Sequence, residues 1–435
     1  MREVYEDAEH ELGEVVEQAG QAIDAHLDVL AHRLGAGPGE DAIVVVNPDL
    51  STRPLRVTLP AGVAGAQPVA GGSVLTAARS VAGLEAAIVR TGAPGGALDV
   101  TPEMLENDLV RVALAPDGTI ASIWDKRAGR EALDGPGNQL WAFVDKPREW
   151  DAWEVDATYE TQGELLPAPQ AVAVVEQGPH RVAVRLERAF RESRVVQEIR
   201  LWAGSARIEL RTLLDWHDRR WLLQARFPLA VRSARATFET AFGVVERATH
   251  RNTPWDEARF EFPGHRFADL SEPGYGVALL NDGRYGHHAH ANVLGLSLLR
   301  SPFWPDPLAD EGEQELVYAL LPHRGSWLEG EVLAEAEDLN RPLFARPVGA
   351  AAERSLRPLT VEGLPLGLGA LKPLEDGGGL ELRVYEPQGG RGVARLSLPD
   401  GWHERGELDL LERAVAASEE ELGPFKLRTW ALARG

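Results

Sequence analysis

The segment DKPREWDAWEVD, Asp145 to Asp156, sets five carboxylates around two indoles, Trp150 and Trp153. Unpaired carboxylates are costly to bury, and two indoles are a heavy apolar load for a solvated loop. Aromatic faces beside acids suit a saccharide, whose ring stacks on indole while its hydroxyls hydrogen-bond to carboxylates. The competing reading is a structural loop whose tryptophans plug a core edge while its acids face water.

A second polar and aromatic stretch runs from Thr249 to Glu261 and on through His265 to Asp269. It offers donors (Arg251, Asn252, Arg259, Arg266), acceptors (Asp256, Glu257, Asp269) and Trp255. Such a mixture makes either a salt-bridged loop over a sheet or the lip of a polar, aromatic cleft. His287-His-Ala-His290 is the densest histidine group. A zinc site wants three or four ligands in a defined geometry, whereas neighbouring residues on a strand point to opposite faces. The group therefore reads as a polar strand end, and no metal is assigned to it. Asp215-Trp-His-Asp and Pro322-His-Arg-Gly-Ser326 hold acid, imidazole and hydroxyl, but no nucleophile elbow or paired-histidine zinc motif frames them. Carboxylate pairs for glycoside hydrolysis are plentiful, and their separation is a property of the fold.

The elements that must position these groups are mostly strands. Val4, Ala8, Leu12, Val15, Ala19, Ile23, Leu27, Leu30 and Leu34 recur at three- and four-residue steps, which predicts one long N-terminal helix with a single apolar stripe. Such a helix gains most of its stability from a partner for that stripe, and no second helix of similar length is predicted. Beyond Gly39 the period changes to two. Strands are predicted at 42–48, 55–60, 109–114, 120–124, 181–186, 194–201 and 207–214, with a less definite one in the Gly- and Ala-rich stretch 61–97. Pro116-Asp-Gly118 closes a hairpin. A further hairpin is predicted from 380–386 and 393–399, and strand signals pause near Arg346-Pro-Val-Gly. The fold class is mainly β: one N-terminal helix followed by antiparallel β-sandwiches.

The chain has 435 residues, enough for several domains. Its formal net charge of −22 argues against nucleic acid and anionic membrane surfaces as partners. No apolar run reaches the roughly 20 residues of a membrane span, and the acidic, amphipathic N-terminus is unlike a secretion signal. Cysteine is absent, which rules out disulfides and thiolate chemistry and fits a cytoplasmic location.

Several segments, in order, resemble the C-terminal half of the glycoside hydrolase family 38 α-mannosidases, most of all the bacterial and cytosolic branch. They are LENDLVRVALAPDGTIASIWDKRAGREAL (Leu105–Leu133), NQLWAFVDKPREWDAWEVD (Asn138–Asp156), DWHDRRWLLQARFPL (Asp215–Leu229) and FGVVERATHRNTPWDEARFE (Phe242–Glu261). HRFADLSEPGYGVALLNDGRYG (His265–Gly286), SLLRSPFWPDPLADEG with YALLPHRG (Ser297–Gly325) and LELRVYEPQGGRGVARLSLP (Leu380–Pro399) continue the series. The resemblance implies a bundle helix at 1–38, a small β-sandwich segment at 39–101, a galactose-mutarotase-like supersandwich at 102–345 and a C-terminal β-sandwich at 346–435. It also implies hydrolysis of terminal α-mannosides with retention, by an aspartate nucleophile and a carboxylic acid in a zinc-binding α/β domain.

Those zinc ligands, that nucleophile and that acid match no residue here. VYEDAEHEL (Val4–Leu12) resembles the helix just after the family's HD-x-x-PG segment, so the expectation is a truncated chain, inactive without a catalytic half, with no cofactor of its own. Relatives tend to carry histidine and phenylalanine where this chain has Gln314 and Leu316, which puts any role of that imidazole in doubt. Trp150, Asp151 and Trp153 are then expected to line or buttress a mannose cleft, with Arg251, Asn252, Trp255, His265 and Asp269 as further candidates. The implied partners are a mannose-containing saccharide and a separate catalytic half, with room for a homo-oligomer. Two other functions fit the residues less closely: a free-standing carbohydrate-binding β protein, and an aldose-epimerase-like enzyme needing a His acid and a Glu base in one cleft.

Overall fold

The computed structural model describes residues 2–60, 62–90 and 95–435; the other residues of the stretch 61–97 lie outside this description. The apolar stripe forms one helix, Arg2–Arg33, with Glu3 at its positive end and His32 and Arg33 at its negative end. Gly35 follows at φ 85°, the left-handed conformation that ends helices. Only the last third of the stripe is covered. Leu27, Ala31 and Leu34 pack on Ala42, Val44, Ile88 and Val348, while Val4, Leu12 and Val15 stay exposed. Among the described residues, no helix is long and apolar enough to cross a membrane. The remainder is mainly antiparallel β-structure.

The chain divides into two compact units. One comprises Val16–Ala93, Thr240–Val245 and Arg341–Gly435. Its strand Ala42–Val46 reads as a continuous apolar run because both faces are buried. Ile43 and Val45 join Leu55, Val57, Leu75 and Val89 in one core; Ala42 and Val44 face the helix. Two sequence expectations are corrected here. The segment near Arg346 is a strand, Phe344–Val348, pairing with Ala42–Val46. It lies at the sheet edge, where Pro347 needs no second ladder partner. Strands Leu380–Tyr385 and Gly392–Ser397 do not form a hairpin. The first pairs with Gly367–Pro373 and Leu427–Arg434, the second with Thr360–Gly363 and Glu421–Leu422. The connection diverges where the Glu386 carboxylate accepts from the amides of Gln388, Gly389 and Phe425, turning the chain into another sheet.

The other unit comprises Met1–Val15, Pro94–Glu239 and Glu246–Asn340. A nine-stranded antiparallel sheet contains Arg181–Phe190, Ser193–Trp202 and Ile208–Trp216. Opposite it lies a six-stranded sheet made of β1 (Gln139–Val144), β2 (Gly163–Leu165), β3 (Trp221–Pro228), β4 (Phe262–Pro263), β5 (Gly286–His290) and β6 (Val293–Arg300). Its order is β2-β1-β3-β6-β5-β4. Leu140, Ala142, Ala225, Phe227, Leu294 and Leu296 share its buried face. Phe227 meets Tyr318 of the nine-stranded sheet with ring centroids 6.3 Å apart. The core is locked by a closed polar ring: Asn138 Nδ2 donates to Gln197 (3.1 Å), Gln197 Nε2 to the Tyr318 hydroxyl (2.7 Å), and that hydroxyl to Asn138 Oδ1 (2.7 Å). Satisfied networks of this kind specify one arrangement of the layers.

His287 corrects a third expectation. It is not at a polar strand end but fully buried in this interior, edge-on to Phe238 at 5.8 Å.

Candidate functional site

β1 and β6 both run antiparallel to β3, so the loops that follow them leave the six-stranded sheet at the same end. Here DKPREWDAWEVD is wound around one guanidinium. Arg300, the last residue of β6, donates to both Asp145 oxygens and to the carbonyls of Asp151 (2.6 Å), Ala152 (3.1 Å) and Glu154. Burial raises the Asp145 pKa, against the pull of Arg300. Trp150 takes a left-handed φ of 56°, and its carbonyl accepts from the amides of Trp153 (2.7 Å) and Glu154 (2.9 Å). Asp151 faces the other way: its Oδ2 accepts from the amides of Phe303 (2.7 Å) and Trp304 (2.8 Å). The two loops are thus tied together, and Trp153 lies 5.6 Å from Trp304 at 59°.

The result is an aromatic platform on a polar frame. Trp150, Trp153 and Trp304 are 61, 64 and 54 % exposed, large apolar surfaces left on a loop whose backbone is pinned. Asp145 and Asp151 hold the loop, Glu149 and Glu154 face water, and the two indoles lie exposed instead of plugging a core edge.

On the same sheet's outer face sits a cluster that the residue types alone did not reveal. His288 on β5 and Arg226 on β3 flank Gly295 of β6 in the register. A Cβ at Gly295 would lie 3.1 Å from the His288 Cβ and 3.3 Å from the Arg226 Cγ, so glycine makes room for both. His288 Nδ1 is 3.0 Å from Glu261 and 3.4 Å from Glu160. Arg251 donates to both Glu160 oxygens (3.1 and 3.0 Å). The Tyr159 hydroxyl donates to Glu261 and accepts from Arg226 (3.0 Å), and Arg226 lies over the Phe143 ring. Burial, then the Glu261 charge, push the Tyr159 hydroxyl far above its usual range. Burial opposes ionisation of Glu160, but Arg251, His288 and Arg226 together hold its carboxyl below the usual range.

Glu160, Glu261 and His288 bring ligand atoms within 4.8 Å of one another. This donor set does not fit a zinc ion: Arg251 chelates one carboxylate, Tyr159 holds the other, and two guanidiniums already supply the positive charge. Nor does it suit proton shuttling across a sugar ring. The imidazole and carboxylate are bonded to each other, leaving no gap for a substrate between them. The cluster braces the loop carrying Tyr159 and Glu160 against the sheet.

The structure brings together Trp150, Asp151 and Trp153, and adds Phe303 and Trp304. Their signal was the SPFWPDPL segment, whose aromatics the Asp151 carboxylate clamps. Arg251 lies in the carboxylate–imidazole cluster, with Asn252 beside it on the surface. Trp255 projects from the single turn Pro254–Glu257, capped by the Thr253 hydroxyl. The His265 ring lies against Tyr285, 5.4 Å away. Asp269 is buried in the nine-stranded sheet, bonded to His323 Nε2 at 2.8 Å and to the Ser271 hydroxyl, so its carboxylate is committed to the fold.

A two-sheet antiparallel sandwich with aromatics at one end of its smaller sheet is the architecture in hand. The α-mannosidase of Enterococcus faecalis V583 has a similar fold, with a TM-score of 0.67 over 92 % of this chain and 52 % of that one at 16 % identity. Residues 105–308 match the glycosyl hydrolases family 38 C-terminal domain. The human protein alpha-mannosidase 2C1 is 39 % identical over 332 residues, covering 74 % of this chain and 32 % of its own length. The alpha-mannosidase of Saccharomyces cerevisiae is 34 % identical over 253 residues, covering 54 % of this chain and 23 % of its own length. Through this region the chain belongs to the glycoside hydrolase family 38 C-terminal domains. It spans about a third of the length of the curated relatives it matches most extensively.

Proposed function

We propose that this chain is the β-rich portion of an α-mannosidase and that its tryptophan platform helps to seat a terminal α-mannoside. The retaining two-carboxylate chemistry falls to the family's zinc-bearing catalytic domain, and the chain by itself is inactive. The observation that carries this reading is the pinning of Trp150, Trp153 and Trp304 by Arg300 and Asp151. Exposed indoles with a fixed backbone lose little freedom when a sugar ring docks, which is how a binding surface keeps its affinity.

Two measurements test it. Purified chain incubated with a chromogenic α-mannoside, with and without zinc, is expected to show no turnover; metal-dependent turnover would place an active site in these β domains. Titration with α-mannose oligosaccharides is expected to change tryptophan fluorescence. Trp153→Ala should weaken the interaction roughly 3- to 10-fold, the worth of one aromatic stacking contact. Equal affinity of variant and parent would reduce the segment to scaffold.

A further inference from the structure

The opposite end of the six-stranded sheet, away from the platform, carries a cleft of about 1080 Å3. It is formed by the segment after β3, the turn between β5 and β6, and residues 249–252. Its floor is apolar, from Leu229, Val231 and Ala291. Its walls are rich in donors: Arg232, His250, Arg251, Asn252, His290 and Asn292.

Both acids in the wall accept hydrogen bonds, and Glu272 alone of the two is met by a cation. Glu272 accepts from Arg130 Nη1 (2.8 Å) and from the Arg232 amide (2.8 Å). Those same contacts hold its carboxyl below the usual range. Asp134 accepts from Asn292 Nδ2 (3.0 Å). Arg232 itself is exposed, and among the described residues its guanidinium forms no ion pair, because Glu272 is met by its backbone instead. Arg251 is fixed from behind by the paired bonds to Glu160, so its guanidinium is presented in one orientation. The wall thus holds one guanidinium without an acidic partner among the described residues, Arg232, beside Arg251, whose charge Glu160 offsets while its remaining N–H groups stay in place to donate.

We propose that this cleft binds a saccharide carrying an oxyanion, either a carboxylate or a phosphate, with Arg232 and Arg251 on the anionic group and Asn252, His290 and Asn292 on hydroxyls. Guanidinium groups suit both anions because their paired N–H groups match two oxygens at once. This site is separate from the platform and goes beyond the reading given above.

The test is calorimetric titration of the full chain with four probes: a hexuronate, a hexose phosphate, neutral methyl α-mannoside and inorganic phosphate. At least one anionic sugar is expected to bind 10-fold or more tightly than methyl α-mannoside, with affinity falling as salt rises. Which of the two binds distinguishes a carboxylate from a phosphate ligand. Arg232→Ala lies on the surface, and its melting temperature serves as the folding control. It should weaken that affinity 10-fold or more, and Arg251→Gln should do so independently. Inorganic phosphate binding as well as the sugars would overturn the saccharide assignment. Equal binding of methyl α-mannoside, or unchanged affinity in a folded Arg232→Ala variant, would overturn the site.

Discussion

Arg300→Ala is expected to destabilise the protein by about 3 kcal/mol and to abolish the tryptophan platform. The magnitude follows from what the guanidinium leaves behind. Asp145 is 2 % exposed, and a buried carboxylate deprived of its partner typically costs 3–5 kcal/mol. The lower end applies because Arg300 is itself partly exposed. The carbonyls of Asp151, Ala152 and Glu154 lose their donor in the same step. Urea denaturation gives the stability change. Adding Asp145→Asn to Arg300→Ala should restore a good part of it, since the second change removes the stranded charge. A single variant within 0.5 kcal/mol of the parent, on the order of an ordinary surface substitution, would mean the loop is held by other contacts. In the single and the double variant alike, saccharide binding at the proposed platform should fall if the loop is released, because the indoles depend on its backbone.

The second large effect is a dependence on pH. Burial lowers the His287 pKa from 6.5 to about 4; the nearby His265 backbone opposes the shift, and the Arg247 charge adds to it. Neither ring nitrogen meets full hydrogen-bond geometry, so burial decides. The unfolded chain therefore binds a proton near pH 6.5 that the folded chain refuses until about pH 4. Stability from this residue is fully present above pH 6.5 and is lost as pH falls towards 4, at about 1.4 kcal/mol per unit. The full window is worth on the order of 3 kcal/mol. Denaturation of the parent and of His287→Gln at pH 7 and pH 5 isolates this contribution. The parent should lose about 2 kcal/mol more than the variant between the two values. Equal losses would show that His287 takes up its proton in the folded state as readily as in the unfolded one.

Both effects concern side chains whose types were conspicuous in the sequence and whose environments were not. The alternation in Arg181–Phe190 and Ile208–Trp216 is a local consequence of one buried face, so period-two reading finds such strands directly. The helix Arg2–Arg33 and the hairpin at Pro116–Gly118 were legible for the same reason: each depends on neighbours a few residues away. The supposed hairpin at 380–399 failed because hydrophobic alternation reports that a strand exists and is silent on its partner. There a side chain, Glu386, redirected the chain. Arg346-Pro-Val-Gly was misread because proline disfavours strands in general, while an edge position tolerates it.

The site divides along the same line. That DKPREWDAWEVD joins indoles to acids is a property of composition, and so is the excess of negative charge. Which acids are scaffold and which aromatics are free was decided by Arg300, 144 residues beyond Asp156 by subtraction of the two numbers. Trp304 completes the platform only because Asp151 caps its loop. Glu160, Glu261, His288, Arg226 and Arg251 come from four separate stretches of chain and meet through the register of β3, β6 and β5 around Gly295. Sequence by itself determined the mainly β fold, the helix and the aromatic-acidic segment, since those follow from local propensity and from segments that resemble a known family. Tertiary structure alone decided which charges are paired, because a guanidinium or carboxylate finds its partner through space, at distances that spacing along the chain does not encode.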